Sequence, residues 1–113
     1  MTQEDKELLL KDICARLPYG VIIQIKDWTV LDAELKIGHI NRLQISDVEL
    51  KPYLFPMSSI TDEQYKEYWE LEHSGNMEHL SIPALDWLNK NHFDYRGLIP
   101  MDLAIDATNL NIY

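Results

Sequence analysis

The residues with the most chemical potential cluster in the second half of the chain. His73 and His79 stand among Glu70, Glu72 and Glu78, and imidazole with carboxylate is a good donor set for zinc and related ions. The two histidines flank a Ser74-Gly75-Asn76 turn signal, and the HExxH spacing that aims both at one ion is missing. This pattern fits a solvated helix end, where the dipole alone favours a histidine. A second group, His92, Asp94, Tyr95 and Arg96, has the types for acid–base work, but no G-x-S-x-G elbow or other nucleophile accompanies it. Asp94 is expected to accept backbone hydrogen bonds in a turn and Arg96 to pair with an acid. Cys14 falls on the apolar face of a predicted helix, as a small buried hydrophobe with no histidine or positive setting to activate it. The four glycines (20, 38, 75 and 97) are scattered and make no phosphate-binding loop. No catalytic, metal or cofactor site is expected.

Residues suited to binding are easier to find. Tyr65, Tyr68 and Trp69 share a helical spacing with a run of acids, Glu63, Glu67, Glu70 and Glu72. Aromatics are enriched at protein interfaces, though at this spacing they also build cores. From Asp62 to Asp86 seven acids face one base, Lys66. Such a helix is either a solubilising face or a salt-sensitive contact surface, and in the second case it can imitate a phosphate backbone.

Composition narrows the class. The 113 residues suit one domain, 1–113, and 46% are apolar, enough for a core. The net charge of −9 repels bare DNA and RNA. One cysteine forms no internal disulfide, no apolar run approaches a membrane span, and the acidic N-terminal stretch does not read as a secretion signal. A cytoplasmic protein with no membrane contact is expected; its oligomeric state is not readable.

Stepping outward, these residues need a frame. Thr2 can cap a first helix carrying Leu9, Ile13 and Leu17 on one face, which Pro18 ends. Residues 21–26, 28–37 and 42–50 read as strands of an antiparallel meander, with Leu31, Ala33, Leu35 and Ile37 on one side of the second and Leu43 and Ile45 on one side of the third. Pro52 and Pro56 bracket KPYLFP, which should exclude both helix and central strand and leave an extended connector pinned by Tyr53, Leu54 and Phe55. Thr61 and Gln64 form a capping box for a second helix, with Ile60 and Tyr65 as a hydrophobic staple. Ser81 should start a third, with Pro83 in its first turn, a Leu80–Leu85 staple, Leu85 and Leu88 sharing a face and Trp87 on a flank. The tail around Met101–Ala107 fits a short strand or a helical turn. The fold class is α+β, a small antiparallel sheet of about three strands packed with about three helices.

The pieces VELKPYLFPMSSITDEQYKEY and LDWLNKNHFDYRGLIPMDLAIDA, with the LLLKDICARLPYG opening, carry a resemblance. Together they resemble a family of small uncharacterised proteins common in gut anaerobes and their prophage-like elements. Those carry a KPYLRPMSS-type connector, an acidic helix and a WLN…HFDYRGLI stretch. Phe55 stands where an arginine is usual. The resemblance implies an α+β fold and an accessory role in a mobile element or its host, without a mechanism. The expected function is a non-enzymatic accessory protein acting through protein–protein contacts at Glu63, Glu67, Glu70, Glu72, Tyr65, Tyr68 and Phe55. The alternatives are an acidic nucleic-acid mimic that blocks a DNA- or RNA-binding protein, and a small metal-dependent hydrolase using His73, His79 or His92.

Overall fold

The computed structural model describes residues 2–26, 29–46, 48–72 and 82–113. Helix α1 (Gln3–Arg16) starts as its sequence predicts, with the Thr2 side chain accepting from the Asp5 N–H. Its buried stripe is Leu9, Asp12, Ile13 and Arg16, so two charged residues share the inner face with the apolar ones. Cys14 is exposed, not on the apolar face. The stripe's 3- and 4-residue steps from Leu9 bring Asp12 and Arg16 inward and rotate position 14 out. A 3-10 turn at residues 17–19 and Gly20, at φ +69°, then redirect the chain into the sheet.

Strand β1 (Ile22–Lys26) pairs antiparallel with both β2 (Val30–Glu34) and β3 (Glu49–Pro56). The order is β2-β1-β3-β4, where β4 is Phe93–Asp94, and β5 (Ile105–Asp106) also pairs with β3. Both two-residue strands run parallel to β3. The result is an α+β fold with a mixed five-stranded sheet.

KPYLFP is therefore the centre of the sheet, and its prolines do not exclude it. In an antiparallel ladder only alternate residues exchange N–H···O bonds. Pro52 opposes Ile23, and the next pair in this register is Ile22 with Tyr53. There the Tyr113 hydroxyl accepts from the Ile22 N–H at 2.8 Å and donates to the Tyr53 carbonyl at 2.7 Å. Hydrogen bonding to β1 thus falls at Tyr53, which leaves Pro52 at a position that needs no N–H toward β1. Pro56 closes the strand.

The third expected strand is instead helix α2 (Ile37–Ile45), which buries Ile40 and Leu43. A strand would have put Leu43 and Ile45 on one face; the helix exposes Ile45 at 84%. His39 Nδ1 accepts the Lys36 N–H and closes the first turn. The expected second-strand face also breaks up: Leu31 and Ile37 are exposed and only Leu35 is deeply buried. The extended register stops at Glu34, and Ile37 already belongs to the helix.

Helix α3 (Asp62–Glu72) has the expected capping box: Thr61 N–H to Gln64 Oε1 at 2.9 Å and Gln64 N–H to Thr61 Oγ1 at 3.1 Å. Helix α4 (Ile82–Lys90) packs beside it and buries Ala84, Trp87 and Leu88. Trp87 is thus a core residue, and Leu85 is only half-buried. Ser81 and Leu80 lie outside the described residues. Two apolar clusters result. One joins α1, α2 and the sheet through Leu9, Ile13, Ile23, Leu43 and Leu54. The other gathers Trp87, Leu88 and Phe93, with Phe55, Ile60 and Tyr68 against it. No helix among the described residues is long and apolar enough to cross a membrane.

Candidate functional site

The end of α4 sets the site. After Lys90 the chain turns through Asn91, whose side chain donates back to the Trp87 carbonyl, and His92, whose N–H reaches Asn89 O. His92 sits at φ +63°, a left-handed conformation uncommon for residues with a Cβ. It is held there from both sides. Its carbonyl accepts the Phe55 N–H at 2.8 Å, and its ring stacks on Tyr113 with centroids 3.8 Å apart. Its Nδ1 is buried without a hydrogen-bond partner. Burial, and secondarily the Arg16 guanidinium, push the His92 pKa down to about 4, so the ring is neutral near pH 7. Burial likewise pushes the Tyr113 phenol up to about 12, which keeps its bridging hydroxyl protonated.

Beside this stack lies a cleft of about 500 Å³ between the end of β3 and the first turn of α3. Phe55, Phe93 and Tyr113 supply apolar wall; Ser59, Thr61, Gln64, Asn91, His92 and Thr108 supply polar groups. Among the described residues Lys90 is the one ionised side chain in the lining, and no Asp or Glu side chain joins it. A mixed cavity of this size, next to a strained residue with a shifted pKa, is the usual form of a small binding site.

A buried ionic cluster supports the cleft from behind. Arg16 pairs with Asp12 through two hydrogen bonds, at 2.8 and 3.1 Å, and both side chains are 0% exposed. Arg16 also donates at 2.6 Å to the carbonyl of Phe93, a cleft residue. Arg96 lies 3.3 Å from the second Asp12 oxygen, within ion-pair range but without hydrogen-bond direction at its Nε. Both guanidiniums lie against the Tyr95 ring, 5.1 and 4.8 Å from its centroid, and the Tyr95 hydroxyl donates to Asn89. Asp94 accepts the Leu98 and Ile99 N–H groups at 2.9 Å each, so the turn and acid-pairing roles expected for Asp94 and Arg96 are those observed.

The residues expected to contact a partner are spread around α3. Phe55 lies in the cleft wall, tilted against Phe93 and Tyr113. Tyr68 packs on Trp87, 5.8 Å between centroids, and is half-buried. Tyr65 and Trp69 are 54% and 48% exposed, and Glu63, Glu67 and Glu70 are exposed. At about 100° per residue, the two aromatics and the three acids project roughly 150° apart, so one flat partner does not cover both. The side chain of Glu72, with His73, Glu78 and His79, lies outside the described residues. Among the described residues no three His, Cys, Asp or Glu side chains gather as a metal site.

Sequence reasoning missed Lys90, Asp12, Arg16 and Tyr113 as parts of this region. The four-residue spacing of Asp12 and Arg16 was a usable signal for a helical ion pair, though not for its burial. No local signal ties Tyr113 to Ile22, 91 residues away. No protein-family model, curated protein or solved structure matches the chain.

Proposed function

We propose that this chain is a non-enzymatic accessory module of the cytoplasm that holds a partner protein where β3 runs into α3. One observation carries the reading: the cleft of about 500 Å³ opens at that junction, with Phe55 in its wall and the first turn of α3 at its rim. A concave, part-apolar site framed by a capped helix and a central strand is rigid, and rigidity lowers the ordering cost of association. The exposed Tyr65 and Trp69 offer further aromatic surface on α3. The acids on the other flank act at longer range. They raise the encounter rate with a partner of basic surface rather than the final affinity, and salt screens them.

The test is co-purification from native cells at low and high salt, with wild type and Thr108→Trp. Thr108 lines the cleft and is exposed, so a tryptophan there obstructs the opening without entering the core. A partner retained by wild type and lost by Thr108→Trp is the expected result. Equal retention by both overturns the reading. Capture that vanishes at high salt and under competing DNA, yet ignores the cleft variant, points to acidic mimicry by α3 instead.

A further inference from the structure

We propose that the cleft between β3 and α3 binds a carboxylate carried on an apolar stem, as at an acidic or chain-terminal residue of a protein partner. The inference deepens the binding-module reading and rests on it only in taking this cleft as the contact point.

Charge makes the case first. The chain carries 19 acidic residues against 10 basic ones, yet among the described residues the one ionised side chain in the lining of this cleft is a lysine. Behind the wall, the Arg16 guanidinium is wholly buried, and its Nη1 has no hydrogen-bond partner. Its charge acts on both stacked cleft residues, disfavouring protonated His92 and favouring ionised Tyr113. Asp12 and Asp94 do not turn toward the cavity: Asp12 holds Arg16, and Asp94 holds the Leu98 and Ile99 amides. An anion entering the cleft therefore meets the Lys90 ammonium on a molecule that is acidic as a whole.

The donors fit the same ligand. Lys90 supplies an ammonium, and Asn91, Ser59 and Thr108 supply neutral polar groups. The His92 ring lines the cleft and is neutral near pH 7, so it reports an entering ligand without adding charge. Phe55, Phe93 and Tyr113 surround the rest of the ligand with aromatic surface, which selects a carboxylate on an apolar stem over a fully hydrated ion. The source is taken as a protein because this carboxylate lies at the contact point of the partner proposed above.

The experiment uses the full chain and follows the His92 ring signals by NMR at constant ionic strength near neutral pH. The probes are N-acetyl-phenylalanine and its primary amide, which differ only in the carboxylate. The acid should give saturable shifts at His92 and bind at least about tenfold more tightly than the amide, because the amide lacks the charge. Lys90→Met, at an exposed position, should weaken the acid roughly fivefold and leave the amide unchanged. Equal binding of acid and amide, or no His92 shift with either, overturns the proposal. Inorganic phosphate binding more tightly than the acid also overturns it, because the site is then a phosphate site. Partner capture is read separately, so loss of the carboxylate preference leaves a Thr108-dependent partner intact. Carboxylate binding without a partner would instead leave a ligand cleft with no docking role.

Discussion

The neutral His92 makes a quantitative claim on stability. Its folded pKa of about 4 lies well below the ordinary value of 6.5. Between those values the unfolded chain binds the proton and the folded chain does not, so acid favours unfolding. The stabilising contribution is complete above about pH 6.5, declines as the pH falls, and is exhausted near pH 4. The 2.5-unit gap between the two pKa values sets a ceiling of roughly 3 kcal/mol. His92 is only half-buried, so solvent screening brings the expected effect to about 1–2 kcal/mol. His92→Asn isolates it, because asparagine tolerates the +63° φ of this position and does not titrate. Urea unfolding of wild type and variant at about pH 7 and about pH 4.5 gives the difference of differences. Loss of the stacked ring lowers the variant's stability at both pH values and cancels. Wild type should lose more than the variant on acidification. Equal losses would mean that folded His92 protonates as freely as an exposed imidazole, and the closed wall of the cleft would be refuted.

The buried cluster makes a larger prediction. Asp12→Asn leaves two guanidiniums facing a neutral amide and should cost roughly 3–5 kcal/mol in denaturant unfolding, whereas Asp12→Leu with Arg16→Met should cost clearly less. Tyr113→Phe removes the hydroxyl between Ile22 and Tyr53; it should cost about 1 kcal/mol and speed hydrogen exchange at the Ile22 amide. Thr61→Ala breaks one half of the α3 capping box and should cost about 1 kcal/mol, seen as a lower unfolding midpoint. Tyr65→Ala, at an exposed position, should change stability by no more than about 0.5 kcal/mol while weakening partner capture.

What the sequence made legible was local. The caps at Thr2 and Thr61 and the Asp94 turn depend on atoms within five residues, so their residue types announce them. The failures came where distant partners decide. Pro52 looked incompatible with a central strand, yet its rung asks for no N–H, a fact set by pairing with β1. Ile40 and Leu43 fit a helix or a strand over so short a stretch, and packing against the core chose the helix. Nothing local marks Asp12 and Arg16 as buried, because a charge is rarely buried without partners; the Phe93 carbonyl and Arg96, which help satisfy them, come from far along the chain. The cleft itself was half visible. Phe55 and the start of α3 were singled out, but Lys90, His92 and Tyr113 converge on them through the parallel pairing of β4 with β3 and the return of the C-terminal residues.

The most direct test of the contact surface is photo-crosslinking in native cells, with a photoreactive phenylalanine placed in turn at Ser59, Tyr65 and Lys11. Ser59 lines the cleft, Tyr65 is exposed on α3 next in sequence to the cleft residue Gln64, and Lys11 is exposed on α1. The account predicts one shared adduct at Ser59 and Tyr65 and none at Lys11. An adduct at Lys11 with neither of the others would contradict it.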